Sequence, residues 1–217
     1  MHSENELGYQ TRSDGFGILY GEIAGALIER CGRNGMGIVR KAVAAYGKKK
    51  GKRLREQYMG SGVRTDLHNL MAAEDGCWKD PRTLKTTLRD TPEAQLWEIY
   101  SCPLEKNWRD RGREEAGRLY CEEYLHALMD GYGEGAGQAN VSNSKTCRRD
   151  DRCVMAMYCR TANQNETQKG TGDGNGIIRE IPVEESTLLL YRCFIEVMKE
   201  EKDAEVVAAV TYGIKNG

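Results

Sequence analysis

The chain has 217 residues, 39% of them hydrophobic, with 32 Lys and Arg against 33 Asp and Glu and a net charge of −1. This length and apolar content suit one domain around one core, and the charge balance excludes bulk attraction to nucleic acid or to a membrane surface. No run approaches the about 18 apolar residues of a membrane helix, and Met1 to Gln10 has no signal-peptide core, so a cytoplasmic protein with reduced thiols is expected.

After a polar N-terminal tail over 1–15, Ile18, Leu19, Ile23, Ala26 and Leu27 trace one helical face until Cys31-Gly32 stops it. A second helix is predicted from Met36 to Tyr58, with Val39, Val43, Gly47, Gly51 and Leu54 near one stripe. Gly47 and Gly51, four apart, cost helix propensity and point to a place where another backbone comes close. Lys48-Lys49-Lys50 with Lys52, Arg53 and Arg55 reads as a solvated basic face, because no interleaved aromatics support base stacking. Thr65-Asp66 offers a cap for a short helix through Ala73 that contains His68, read as a surface or packed histidine.

Thr83 to Arg89 and Ala94 to Tyr100 read as a hairpin across Thr91-Pro92, and its second strand leads into the Cys102-Pro103 turn. A short helix over Leu104 to Arg111 follows. Ala116, Leu119, Tyr120, Tyr124, Leu125, Leu128 and Met129 then mark a helix that stops at Gly131. On it Glu122 and His126 share one face, while Cys121 points with Tyr124, Leu125 and Leu128 to the apolar side. Asn140 to Thr146 and Val154 to Cys159 suit two antiparallel strands around the acidic turn Asp150-Asp151, bracketed by Cys147 and Cys153. The Gly- and Asn-rich segment 161–180 is expected to be a flexible loop. Its Asp173-Gly174-Asn175-Gly176 run imitates a calcium loop, but positions one and twelve would be Thr171 and Pro182, which excludes calcium. The last segment, 181–217, reads as a long helix packing on the same domain, with Leu190, Phe194 and Val197 beside a main stripe and so partly at a homodimer interface.

Cys102-Pro103, Tyr120-Cys121-Glu122 and Asp150-Asp151-x-Cys153 resemble the L-2-amino-thiazoline-4-carboxylic acid hydrolase family. The likeness spans residues 16–160, with Arg149-Asp150-Asp151 where the family turn usually has Gly-Asp. The hairpin is also similar to vinyl-reductase-type small-molecule sensor domains. The expected fold is mixed α+β: an antiparallel sheet covered by N-terminal helices and a long C-terminal helix. The resemblance implies hydrolytic opening of a small C=N-containing heterocycle, with Cys121, Glu122, His126 and Asp151 as candidate catalytic groups. Tyr120, Tyr124, Trp97 and Trp108 are the candidate substrate contacts. An alternative is a sensor or binding module with a zinc or other divalent metal on Cys102, Cys121, Cys153 and His126. No two of these cysteines have tight C-x-x-C spacing, and a free cysteine is most often a core residue. The expected partner is a small molecule.

Overall fold

The computed structural model describes residues 4–61, 66–73, 77–142, 151–160 and 181–200. Residues 143–150 with Cys147 and Asp150, Thr65, the 161–180 segment and residues 201–217 lie outside them, with the expectations attached to those stretches. The elements are α1 (Glu4–Ser61), α2 (Leu67–Ala73), a 3-10 turn (Cys77–Lys79), β1 (Leu84–Asp90), β2 (Ala94–Ser101), α3 (Pro103–Asp110), α4 (Glu114–Gly133), β3 (Gly137–Ser142), β4 (Cys153–Cys159) and α5 (Val183–Glu200). The fold is mixed α and β with one four-stranded antiparallel sheet in the order β1-β2-β4-β3.

The predicted stop at Gly32 is a fold-back rather than a loop. Gly32 takes φ 53°, a left-handed conformation that glycine adopts without a Cβ clash, and α1 turns there into two arms. Phe16 and Tyr46 would lie about 45 Å apart on a straight helix, yet their rings sit 6.2 Å apart. The stretch from Glu4 to Gly15, read as a polar tail, forms the first turns of the first arm.

The second arm crosses α4 at backbone distance. A Cβ on Gly51 would lie 2.1 Å from the carbonyl oxygen of Leu128, one on Gly47 2.7 Å from that of Tyr124, and one on Gly131 2.1 Å from that of Lys48. The close approach expected at Gly47 and Gly51 is therefore an α1–α4 crossing, with glycine supplied from both helices. Arg40 clamps the same two helices by binding Glu122 and Glu123, and Arg118 binds Glu122 from the other side.

The first arm receives α3 in the same manner. Trp108 packs on Gly21 and Gly117, where a Cβ would come within 3.0 Å and 2.4 Å of its ring, and its Nε1 donates to the Gly17 carbonyl at 2.9 Å. The sheet turns Trp97, Ile99, Cys153, Met155, Met157 and Cys159 into the core. α5 packs on α1 and buries Leu190, Phe194 and Val197, with the Phe194 ring 6.3 Å from Tyr20. These three residues were expected partly at a homodimer interface; they are instead inside the protomer, because the fold-back of α1 gives the wide apolar face of α5 an intramolecular partner. No helix among the described residues is long and apolar enough to cross a membrane.

Gly51→Ala is expected to destabilise the protein by about 2–4 kcal/mol, because overpacking against backbone outweighs the roughly 1 kcal/mol that alanine gains over glycine in a helix. Gly15→Ala, where nothing lies within 4 Å of the added Cβ, is expected to stabilise it by up to about 1 kcal/mol. Urea unfolding of both variants checks the pair; equal effects would remove the crossing argument. The Glu122 clamp has a pH signature. Burial pushes its carboxyl upward, but the hydrogen bonds from Arg40 and Arg118 prevail and hold it below its ordinary 4.5. A depressed carboxyl contributes stability that is present above pH 4.5 and lost as pH falls through the folded value. Glu122→Gln is therefore expected to be less stable than the parent at pH 7 by about 1 kcal/mol, with the gap closing below pH 4.5 in unfolding curves.

Candidate functional site

Between the two arms of α1, the start of α3, the middle of α4, β4 and the first turn of α5 lies a cavity of about 70 Å³. On the same measure a water takes roughly 10–15 Å³, so the space suits a compact small molecule. Its walls are mainly apolar and aromatic: Phe16, Tyr46, Trp78, Leu104, Trp108, Tyr120, Tyr124, Leu125, Met155 and Val183. The polar side chains at its surface are Ser13, Lys50, Cys102, Cys121 and Ser186.

Each wall residue is there for a local reason. Cys102 is the N-cap of α3, extended at φ −131° and followed by Pro103, which starts a helix at no hydrogen-bonding cost. Tyr120, Cys121, Tyr124 and Leu125 fall at one-, three- and four-residue steps on α4, the face that meets α1. The tyrosines form a continuous array: Tyr46 stacks on Tyr124 at 5.4 Å, Tyr124 on Tyr120 at 4.9 Å, and Tyr120 meets Tyr20 edge-on at 5.0 Å.

Lys50 is 2% exposed, and its Nζ lies 5.9 Å from the Tyr46 ring centroid and 5.8 Å from that of Tyr124. Both tyrosine faces therefore soften the burial of its charge. Tyr20 donates to the Ala116 carbonyl at 2.6 Å, and burial, reinforced by the nearby Cys121, pushes its hydroxyl well above the ordinary range. It stays a neutral donor at any working pH. Asp80, 2% exposed, accepts from Ser13 and from the Arg82 guanidinium. Burial raises its carboxyl, yet these bonds hold it below the ordinary value.

Of the residues singled out in the sequence, Cys102, Trp108, Tyr120, Cys121 and Tyr124 line this cavity. Trp97 is buried one layer back, edge-on to the wall residue Trp78 at 5.5 Å. Cys153 is buried on the core face of β4. Glu122 lies in the clamp with Arg40 and Arg118, and His126, about 140° around α4 from Cys121, is exposed. Asp151 is exposed beside Arg152, at 3.3 Å. Among the described residues no three His, Cys, Asp or Glu side chains gather as metal ligands would. The proposed set of Cys102, Cys121, Cys153 and His126 is spread over a cavity wall, a core strand and an exposed helix face. Cys193, away from the cavity, has its thiol pushed by burial to about 11, so it is protonated and inert at neutral pH.

Lys50, Ser13 and Ser186 were missed. Lys50 belongs to a run that reads as solvated, but it lies four residues from both Tyr46 and Leu54 and so falls on the buried stripe of the second arm. That periodicity was the available signal. Ser13 and Ser186 carry none, since only the fold-back of α1 and the docking of α5 bring them to the cavity.

A family model described as L-2-amino-thiazoline-4-carboxylic acid hydrolase matches residues 16–155. No curated protein and no solved structure is matched. The matched span is more than half of the chain and carries Cys102, Trp108, Tyr120, Cys121 and Tyr124 together on one cavity wall. The chain therefore belongs to the L-2-amino-thiazoline-4-carboxylic acid hydrolase family.

Proposed function

We propose that the protein is a hydrolase that opens a small cyclic amidine of the 2-amino-thiazoline-carboxylate type, with Cys121 as nucleophile. The observation that carries this is the placement of Cys121: half-buried, on the wall of an aromatic cavity sized for one small ring, within the span that matches the hydrolase family. An aromatic cavity of this kind holds a planar ring against tyrosine faces and keeps bulk water from competing.

In this scheme the Cys121 Sγ bonds to the ring carbon between nitrogen and sulfur, and the C=N pair moves to the nitrogen, which takes a proton. Collapse of the tetrahedral adduct breaks the ring C–S bond; the departing sulfur takes a proton and the C=N bond reforms on the cysteine-bound amidine. Water then adds to that carbon and expels the Cys121 thiolate. The sum consumes one water and yields a carbamoyl-cysteine with a free thiol. Glu122, His126 and Asp151 lie outside the cavity walls, so the scheme routes its protons through water and the cavity's own polar groups.

The released thiol gives the assay. Incubation with 2-amino-thiazoline-4-carboxylate is expected to liberate one thiol per ring opened, read with a thiol-reactive chromophore after removal of the protein. Cys121→Ser is expected to lower turnover by about 10³-fold or more, while Cys102→Ser keeps a measurable rate. His126→Ala, at an exposed position, is expected to stay close to the parent; a loss of two or more orders of magnitude in that folded variant would move proton transfer outside the cavity and sink the assignment. Ligand binding without any thiol release would give the cavity to sensing instead.

A further inference from the structure

Two serine hydroxyls of the cavity have no part in the chemistry above. Ser13, in the first arm of α1, is buried and gives its one hydroxyl proton to the Asp80 carboxylate. Arg82 binds Asp80 at 2.7 Å and keeps it ionised, so Asp80 has no proton to return. The Ser13 oxygen can therefore only accept a hydrogen bond from a ligand. Ser186, in the first turn of α5, is 3% exposed, and its Oγ is buried with no hydrogen-bond partner among the described residues. A buried, unpaired hydroxyl costs stability, and both serines belong to the wall of the same cavity.

The two hydroxyls come from the two sides of the seam between α1 and α5. Arg12, next to Ser13, pairs with Glu184 of α5 at 3.3 Å, and Phe16 and Val183 line the cavity from either side of that seam. A ligand group that only accepts, such as an ether or carboxylate oxygen, would set its lone pairs against those of Ser13. A group that donates satisfies Ser13, and a nitrogen with two N–H bonds can donate to Ser186 as well. The amidine edge of a 2-amino ring has that pair of N–H bonds.

We propose that Ser13 and Ser186 form an amino-group subsite that recognises the exocyclic N–H bonds of a cyclic amidine in the cavity. This rests on the cavity being the substrate site proposed above, and it says which edge of the ring the protein reads. In a 2-amino-thiazoline the amino nitrogen sits on the carbon that Cys121 attacks, so two hydrogen bonds to that nitrogen fix the carbon in the plane of the ring. Asp80 and Arg82 act behind Ser13 as positioning residues, because they hold its hydroxyl proton away from the ligand. Neither serine falls within the 16–155 family match. Selection at this edge therefore belongs to the segments that flank the matched span.

The test uses aromatic thiazole-4-carboxylates, whose rings are stable to opening, with a 2-amino, 2-methyl or 2-methoxy substituent. The three share ring and carboxylate and differ in offering two donors, no polar group, or an acceptor. In calorimetric titration of the full chain, the amino ligand is expected to bind about 10–100-fold more tightly than the methyl or methoxy ligand. Ser186→Ala is expected to weaken the amino ligand by about 3–10-fold and leave the methyl ligand within about 2-fold. It is expected to melt no lower than the parent, since it removes an unpaired buried hydroxyl. Ser13→Ala is expected to cost the amino ligand as much, but to melt lower, because Asp80 loses a donor. A methyl or methoxy ligand that binds the parent as tightly as the amino one, binding of none of the three, or a parent-like preference in either variant overturns the subsite. A Ser186→Ala protein that melts well below the parent also overturns it, since the hydroxyl would then be satisfied within the protein. Should Ser13→Ala fail to fold, the parent's preference and Ser186→Ala decide. Amino preference without thiol release from the aminothiazoline would leave the subsite standing and remove only the hydrolase reading; thiol release without preference would do the reverse.

Discussion

The backbone contact between the second arm of α1 and α4 is the constraint on which the rest depends. With glycine at 47, 51 and 131 the two helix axes come close enough for carbonyl oxygens to occupy the space of missing Cβ atoms. At that separation Tyr46 reaches Tyr124 and stacks on it, and Lys50, between the two glycines, is buried and lines the cavity. Any larger side chain at these positions would push the helices apart by the width of a methyl group or more and open the aromatic array to water.

Charge is distributed in the protein by the same geometry. Three arginines are each matched to two carboxylates: Arg40 to Glu122 and Glu123, Arg118 to Glu115 and Glu122, Arg113 to Glu22 and Glu29. Partly exposed pairs of this kind add little each, but Arg40 joins α1 to Glu122 and Glu123 of α4, and Arg113 joins the start of α4 to Glu22 and Glu29 of α1. Among the described residues two cations are buried: Arg55, which pairs with Glu134 and donates to the Tyr132 carbonyl, and Lys50, whose ammonium lies near the faces of Tyr46 and Tyr124.

Much of this architecture was legible in the chain. Apolar periodicity located both arms of α1 and α4, the alternation of Thr83 to Tyr100 marked the first hairpin, and the four-residue spacing of Gly47 and Gly51 announced a close backbone approach. The cavity wall on α4 was legible too, because Tyr120, Cys121 and Tyr124 share a helical face whatever packs against it. What could not be read were relations across long stretches. Arg40 takes Glu122 from 82 positions away, which no local i,i+4 rule between Glu122 and His126 anticipates. Lys50 was hidden by its neighbours Lys48 and Lys49, whose exposure masks a buried phase of the same helix. The apolar surplus of α5 was visible, but whether a second protomer or α1 covers it depends on a fold-back that one glycine produces.

Contributions to the cavity come from nearly the whole length of the described chain: Ser13 and Phe16 from the first turns, Lys50 from the second arm, Cys121 from the middle and Ser186 from the last helix. A ligand seated there touches segments that otherwise meet only through each other, so occupancy and global folding are thermodynamically linked. A compound at a hundred times its dissociation constant adds about 2.7 kcal/mol to the folded state. The melting temperature of the protein is thus a label-free readout of occupancy, and a library of small cyclic acids can be ranked by it without first knowing which reaction, if any, each one undergoes.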